Sequence, residues 1–527
     1  MMKVVFELNT ESMKAYKIIT GGMMLLFASA CNSFLDVVPD NRTVLDTPEA
    51  VKELLVSAYP DCHYYHVCEV MSDNVGERVV TGTHSRSILN EEMYYWEPGS
   101  QTGQDTPTYI WTGYYNAIAA ANHALRAIRE AGDTPEYAEA KGEALLCRAF
   151  NHFLLVNIFA EHYVPNGAES MLGIPYCTEP ETVPIVYYKR NTLKETYELI
   201  EKDLLEGLPL IKDESYEAPK YHFTKAAAAA FAARFYLYKG EWDKVITYAT
   251  RALGNNPVKK IRDLKGKQFN VSDKDYYQQN YFTSAEQSVI LFVGGCSWWA
   301  RDFSSTSLRF GMTKELSTEL LTETVCGRSG SSCTYYVYST YTASQACQMR
   351  KFKEQFKYNA VGSTTGKGYC FAALLSGEEA LLNRAEAYTM KHQFDSALID
   401  VNILLKERVR VNPEDINADF TPYQATLEKI KNFYDDLPEL FPDVEPFYAS
   451  EIDEDQMSIL KCIVDWRRKE FLQEGLRWFD IKRFHLPVTH TFRDSDMAPI
   501  TLAKDDLRRA VQIPTEAQGF GVEPNPR

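Results

Sequence analysis

The chain has 527 residues and a formal charge of −16. That balance excludes charge-driven, nonspecific binding of nucleic acid, because no surplus of Lys and Arg is available to release phosphate counterions. A composition of 45% hydrophobic and 24% charged residues excludes wholesale disorder and allows a sizeable core, while 33 Tyr against 27 Phe supplies many rings with a polar tip.

Residues 13–31 read MKAYKIITGGMMLLFASAC: two lysines, a short apolar run from Ile18 to Phe27, then small residues ending at Cys31. The apolar run is too short to span a bilayer as a helix and has the outline of an export signal over residues 1–30. The ending Ala28-Ser29-Ala30-Cys31 resembles the bacterial lipobox, in which the Cys becomes the lipidated first residue; Ala28 stands where Leu is usual. Glu7 and Glu11 do not suit the start of such a signal, which favours Met13 over Met1 as the first residue. An exported protein is allowed disulfides. The ten cysteines beyond Cys31 are scattered, with only Cys62/Cys68 and Cys326/Cys333 close in sequence. At most one or two bridges, with Cys62–Cys68 a candidate, and several buried thiols are expected.

Helical periodicity comes next. Trp111–Glu130 and Gly142–Phe159 carry apolar residues at three- and four-residue spacing and read as helices. Thr224–Leu253 reads as helix, turn at Lys239-Gly240-Glu241, helix, and Glu378–Val409 reads the same way with its turn at Lys391-His392-Gln393. A constant offset of 152 aligns Trp242 with Phe394, Lys239 with Lys391, Tyr236 with Tyr388 and Ala233 with Ala385. These are tetratricopeptide-type hairpins, and two are too few to stand alone, so other helices must complete the stack. Met457–Glu474 is a further strong helix, with Arg467, Glu470 and Glu474 on one face and Gly475 at its C-cap, an arrangement suited to an ion-pair network that fixes this helix to the body.

Between these helices the pattern breaks. Four prolines (Pro165, Pro175, Pro180, Pro184) make Glu161–Asn191 irregular, and the residues from 255 to 370 are rich in Gly, Ser, Thr and Tyr with β-like runs such as Ser288–Val293. Loop-rich regions are therefore expected at 61–110, 255–370 and 411–456, and hairpins near 111–160, 192–253, 376–410 and 457–475. Loops this long are more often functional than idle.

Catalytic and metal signatures are weak. Cys62-His63-Tyr64-Tyr65-His66-Val67-Cys68 crowds four ligand types where structural zinc sites use separated pairs. Gly362-Ser-Thr-Thr-Gly366-Lys367-Gly368 lacks the spacing and the Ser/Thr of a phosphate-binding loop. Neither Gly-x-Ser-x-Gly nor His-Glu-x-x-His occurs. No catalytic residue, metal or cofactor is assigned. The aromatic clusters are the better lead: Tyr94-Tyr95-Trp96, Trp298-Trp299 and Tyr335-Tyr336-Val337-Tyr338 fall in the loop regions, and flat rings can stack on a sugar face or on a peptide's side chains. Trp96, Trp298, Trp299, Tyr335, Tyr336 and Tyr338 are the candidate ligand contacts. If Trp298 and Trp299 are extended, their rings point to opposite faces.

The ordered set of motifs resembles the SusD/RagB family of outer-membrane nutrient-binding lipoproteins. Cys31 is followed by Phe34-Leu35-Asp36 and Pro39. Then come Trp111 to Asn122 (WTGYYNAIAAAN), Gly142 to Ala149 (GEALLCRA), Thr224-Lys-Ala-Ala227, Glu378 to Ala387 (EEALLNRAEA), Arg467 to Asp480 (RRKEFLQEGLRWFD), and Ile513-Pro514-x-Glu516 with Asn525-Pro526 near the end. Glu161-His162 stands where the family often has a Gly.

The resemblance implies a mainly α fold: tetratricopeptide-like helical hairpins forming a right-handed superhelical body over residues 31–527, with loop-rich insertions that carry short strands and the ligand surface. It implies a SusC-type TonB-dependent transporter as partner, anchorage at the outer membrane through Cys31, and noncovalent capture of an oligosaccharide or a peptide, most simply a glycan. It places Trp96 and the Trp298/Trp299 segment where relatives contact ligand. Two readings of another class stand beside it: an outer-membrane glycoside hydrolase, whose carboxylate pair need not be adjacent in sequence, and a transporter subunit without a ligand site.

Overall fold

The two hairpins related by 152 residues are built alike down to single backbone angles. Thr224 and Ser376, at equivalent positions, are both helix N-caps: the Thr224 hydroxyl accepts from the Ala227 N–H at 3.1 Å and the Ser376 hydroxyl from the Glu379 N–H at 3.3 Å. At the turns, Gly240 (φ 71°) and His392 (φ 56°) are also equivalent and both left-handed. Ala233 and Ala385 are fully buried, where small side chains let the paired helices approach.

The computed structural model describes residues 45–527 except 184, 267, 268, 270–272, 328–332, 413, 414, 416, 436, 439 and 495, and gives Ser215 and Lys274 by backbone alone. The export segment and Cys31 lie outside the described residues. In chain order the elements are α1 (Pro48–Leu55), α2 (Tyr65–Val70), β1 (Gly76–Glu77), α3 (Ser87–Tyr94), α4 (Pro107–Glu130), α5 (Ala138–Phe159), α6 (Leu193–Gly207), α7 (Lys225–Lys239) and α8 (Trp242–Leu253). The loop layer holds α9 (Lys274–Tyr281), β2 (Val289–Cys296), α10 (Trp299–Asp302), β3 (Phe310–Gly311), α11 (Lys314–Thr322), β4 (Tyr338–Tyr341), β5 (Ala346–Met349), β6 (Gln355–Tyr358) and β7 (Gly366–Ser376). The C-terminal part adds α12 (Gly377–Met390), α13 (Phe394–Arg408), α14 (Leu427–Asp435), α15 (Glu454–Glu470), α16 (Leu476–Arg483), β8 (Val488–His490), β9 (Ile500–Leu502) and α17 (Thr515–Gly519).

The expected mainly α fold is the one observed. Helices α4, α5 and α6 pack in succession; α7 pairs with α8, α8 packs on α12, α12 pairs with α13, and α15 lies against both α12 and α14. Strands β2, β7 and β6 form an antiparallel sheet in that order, and β7 runs directly into α12, so the sheet is continuous with the second hairpin. The Gly362–Gly368 segment spans the β6–β7 turn and the first residues of β7, the turn being closed by the Asn359 N–H to the Thr365 carbonyl at 3.0 Å.

The helix expected over Met457–Glu474 differs from what is found. It starts at Glu454 and stops at Glu470, and Gly475 caps the start of α16 instead of the end of α15. The cause is a distant carboxylate: Glu69 accepts from the Gln473 N–H at 2.8 Å and the Gly475 N–H at 3.1 Å, turning the chain through left-handed Gln473 (φ 67°) and Gly475 (φ 71°). Arg467, Glu470 and Glu474 therefore do not share a helix face. Arg467 pairs with Asp480 on α16, Glu470 with Arg408 on α13, and Glu474 with Lys351 before β6. The expected ion-pair network exists, with its three partners on α16, on α13 and in the segment before β6.

The ten described cysteines are all free thiols, so the Cys62–Cys68 bridge does not form. Cys62 Sγ faces the Ile110 carbonyl on α4 at 3.9 Å, while Cys68 Cβ packs against Gly475.

Arg408 is fully buried and holds both oxygens of Glu470 at 2.7 and 3.0 Å, with Glu378 at 3.1 Å. Burial opposes charge on Glu470, yet Arg408 beside it holds the carboxyl down at about 2. Arg408→Met takes the ion-pair partner from the buried Glu470 carboxylate, while Glu378 keeps Arg262 at 3.4 Å, and is expected to cost about 3–5 kcal/mol in denaturant unfolding. An unchanged midpoint would show that the pair contributes no stability.

Candidate ligand-binding site

The six aromatic candidates divide by burial. Trp96 sits in a left-handed turn after α3 (φ 55°), 2% exposed; its indole N–H donates to the Met71 carbonyl at 2.9 Å and its ring stacks on His490 at 4.5 Å. Trp299 is 3% exposed and donates to the Gln473 carbonyl at 2.7 Å. Tyr336 is 4% exposed with its hydroxyl on Glu470. These three rings are packed inside the protein and do not face solvent. Trp298, Tyr335 and Tyr338 are half-buried. Tyr335 lies beside Arg410 at 5.7 Å, Tyr338 sits on β4 opposite Met349, and no ring contact among the described residues joins either to Trp298.

Trp298 is the candidate that the fold sets at an open edge. Trp298 and Trp299 are not extended; Trp298 is the N-cap of α10 and Trp299 its first residue, which sends one ring outward and the other into the core. The turn rests on the buried carboxylate of Asp105, held at φ 66°. Asp105 accepts from the Ser297 hydroxyl and from the Trp298 N–H, the latter at 2.8 Å. The preceding residue, Gln104, donates from Nε2 to the Gly368 carbonyl at 2.9 Å. Residues 104 and 105 thus hold both the Trp298 turn and the part of β7 on which it lies. Glycine is required there, because a Cβ on Gly368 would lie 2.4 Å from the indole ring.

Two rings that sequence reading did not select complete this edge. Phe356 and Tyr358 on β6 stand across from Gly368 and Gly366, so on that face of the hairpin two aromatic rings meet two residues without side chains. Phe356 is 38% and Tyr358 61% exposed; their centroids are 5.0 Å apart, and Phe356 is 6.3 Å from Trp298. The available signal was the alternation Gln355-Phe356-Lys357-Tyr358, a period of two inside a region read as loop. Arg301 lies 4.5 Å from the Trp298 centroid and pairs with Glu354.

Beneath the edge, Arg86 pairs with Asp302 at 3.0 Å and lies 3.8 Å from Asp105, and His66 Nδ1 is 3.2 Å from Asp302. His63 Nε2 instead approaches the Cys370 carbonyl, so the Cys/His cluster of residues 62–68 disperses among different neighbours. Two clefts lie elsewhere. One of about 420 Å³ is walled by Trp111 and Tyr115 of α4, Pro180 and Tyr188; one of about 1180 Å³ is lined by Asp263, Lys265, Glu286, Lys406, Glu407 and Asp419 among others.

The helical-hairpin body thus carries a loop layer with an aromatic edge, two exposed rings beside the half-buried Trp298. The comparisons agree in kind. Residues 33–237 match the SusD-like family described as "starch-binding associating with outer membrane", and residues 340–518 match the SusD family. The chain belongs to the SusD/RagB family. SusD-like protein P38 of Formosa agariphila is 23% identical over 262 residues, 46% of this chain and 47% of that protein, so the match spans about half the length of this curated relative. A SusD superfamily protein from Bacteroides thetaiotaomicron superposes with a TM-score of 0.61 at 18% identity, covering 92% of this chain and 100% of that one. A SusD-like carbohydrate binding protein from Bacteroides vulgatus superposes with a TM-score of 0.57 at 16% identity, covering 90% and 96%. Among the described residues no helix is long and apolar enough to cross a membrane.

Burial, and then the charge of Asp302, push the Asp105 carboxyl up to about 6 against the opposing pull of Arg86. A carboxyl raised on folding contributes stability that is present at low pH and lost as pH rises through about 6. Asp105→Asn should therefore remove a fall of roughly 2–3 kcal/mol between pH 4 and 7 that the unmodified protein shows, together with any step in Trp emission near pH 6. Identical pH profiles for the two proteins would contradict this assignment.

Proposed function

We propose that the chain is a surface lipoprotein of the outer membrane that captures an oligomeric nutrient, most simply a glycan, and passes it to a SusC-type TonB-dependent transporter. Cys31 carries the acyl anchor, the helical hairpins dock on the transporter, and the loop layer selects the ligand without cleaving it. The observation that carries the reading is the Trp298–Phe356–Tyr358 edge: two exposed rings on β6 beside the half-buried Trp298, in a member of this family. Rings of this kind stack on the apolar faces of pyranoses while nearby polar groups orient the hydroxyls. Tyr335 and Tyr338, half-buried on a neighbouring part of the chain, remain proposed contacts for a longer ligand. The relatives described as starch-binding or carbohydrate binding support a glycan over a peptide.

Calorimetry against a panel of oligosaccharides and peptides tests the reading. Trp298→Ala with Phe356→Ala should weaken the bound glycan roughly two- to tenfold per ring, with unaltered thermal stability. Equal affinity in the double variant would move the site elsewhere, and new reducing ends during incubation would make the protein a hydrolase. For the anchor, Cys31→Ser should release the protein from membranes; retained anchorage in cells lacking the transporter would sink the lipobox.

A further inference from the structure

The opposite face of the same sheet holds a pocket that the aromatic edge does not use. It measures about 240 Å³, below the roughly 300–1,000 Å³ of sites that enclose a drug-sized molecule, so it suits one sugar ring at a time. Its floor is aromatic. Phe371 on β7 stands opposite Gly294 on β2, and Phe292, paired with Ala373, stacks beside it at 5.0 Å and 15°. Tyr221, 39% exposed, sets its ring edge-on to Phe292 at 5.2 Å.

The rim is polar and idle. Gln278, Gln279 and Thr283, from α9 and the turn after it, and Gln355 at the start of β6 make no side-chain hydrogen bond to any described residue. Amides and a hydroxyl around stacked rings are what a sugar's vicinal hydroxyls and apolar face require. Charge narrows the ligand further. In a chain of net charge −16, no carboxylate lines this pocket and Lys353 does. Lys351 and Lys357, its neighbours at two and four residues, each have a carboxylate partner, Glu474 at 2.7 Å and Asp61 at 3.1 Å; Lys353 has none among the described residues.

We infer that the Tyr221–Phe292–Phe371 pocket is a saccharide subsite selective for an anionic sugar, with Phe292 and Phe371 as the stacking floor and Lys353 pairing with the sugar's carboxylate or sulfate. The inference rests on the glycan reading above and gives its ligand a charge class. Gln355 and Phe356 are consecutive on β6 and point to opposite faces, so a glycan chain that rounds this edge strand meets both the pocket and the Trp298 edge.

Three hexasaccharides decide it by calorimetry with the purified protein: hexagalacturonate (carboxylates), a κ-carrageenan hexasaccharide (sulfates) and maltohexaose (neutral). One anionic probe should bind, more weakly as salt rises, and Lys353→Gln should reduce that affinity about tenfold, equivalent to 1.4 kcal/mol, without changing any maltohexaose binding. Which anionic probe responds identifies carboxylate or sulfate as the partner. Gln279→Ala, an exposed helix position, serves beside Phe371→Ala as a variant that leaves the core intact; both should weaken the anionic probe. No saturable binding of either anionic probe at millimolar concentration overturns the inference, as does an anionic affinity untouched by Lys353→Gln. If maltohexaose alone binds and Trp298→Ala weakens it, the subsite is wrong and the edge reading survives; if no saccharide binds, both fall.

Discussion

Everything else in the structure depends on how buried charge is paired at the corner between α15 and α16. Arg408, Glu470, Glu378, Arg467, Asp480, Arg483 and Glu386 are all at most 2% exposed, and each has a partner on another element or across the corner. Isolated charges at such depth would cost several kcal/mol each, so the pairs specify which helices may meet: α13 with α15 through Arg408–Glu470, and α12 with α16 through Glu386–Arg483.

The same corner ties the loop layer to the body. Glu69 closes the 471–475 turn from one side, and Trp299 donates to the Gln473 carbonyl from another. Gln473 Oε1 in turn accepts the Met349 N–H of β5 at 3.1 Å, and Lys351 reaches Glu474. Trp299 is therefore the inner half of a pair whose outer half, Trp298, belongs to the proposed ligand edge. Burial of one indole fixes where the other is presented, and Asp105 with Gln104 supports it from below.

The hairpins were legible because their signals are local. N-caps, a small-residue position, a turn and an apolar period all recur at one offset, and each acts within a few residues of itself. The end of α15 was not legible, because Glu69, some four hundred residues earlier, supplies the acceptor that breaks the helix at a point where the local sequence would continue it. The binding edge was half legible. Trp298 stood out as a loop aromatic, but Trp96, Trp299 and Tyr336 carry the same signal and are buried, since ring type cannot distinguish stacking on protein from stacking on ligand. Phe356 and Tyr358 are not legible in sequence, because their exposure comes from facing Gly368 and Gly366 across a hairpin, a relation visible only once the register is known.

The central claim is that ligand is held on the β6–β7 hairpin and the Trp298 turn while the helical body stays unchanged. Amide hydrogen exchange in the presence and absence of a bound saccharide measures this directly. Protection is expected to rise over residues 297–302 and 355–371 and to stay constant in the hairpins of α7–α8 and α12–α13. Protection confined to the cleft between α4 and residues 175–188, with the β6–β7 hairpin unaffected, would contradict the account.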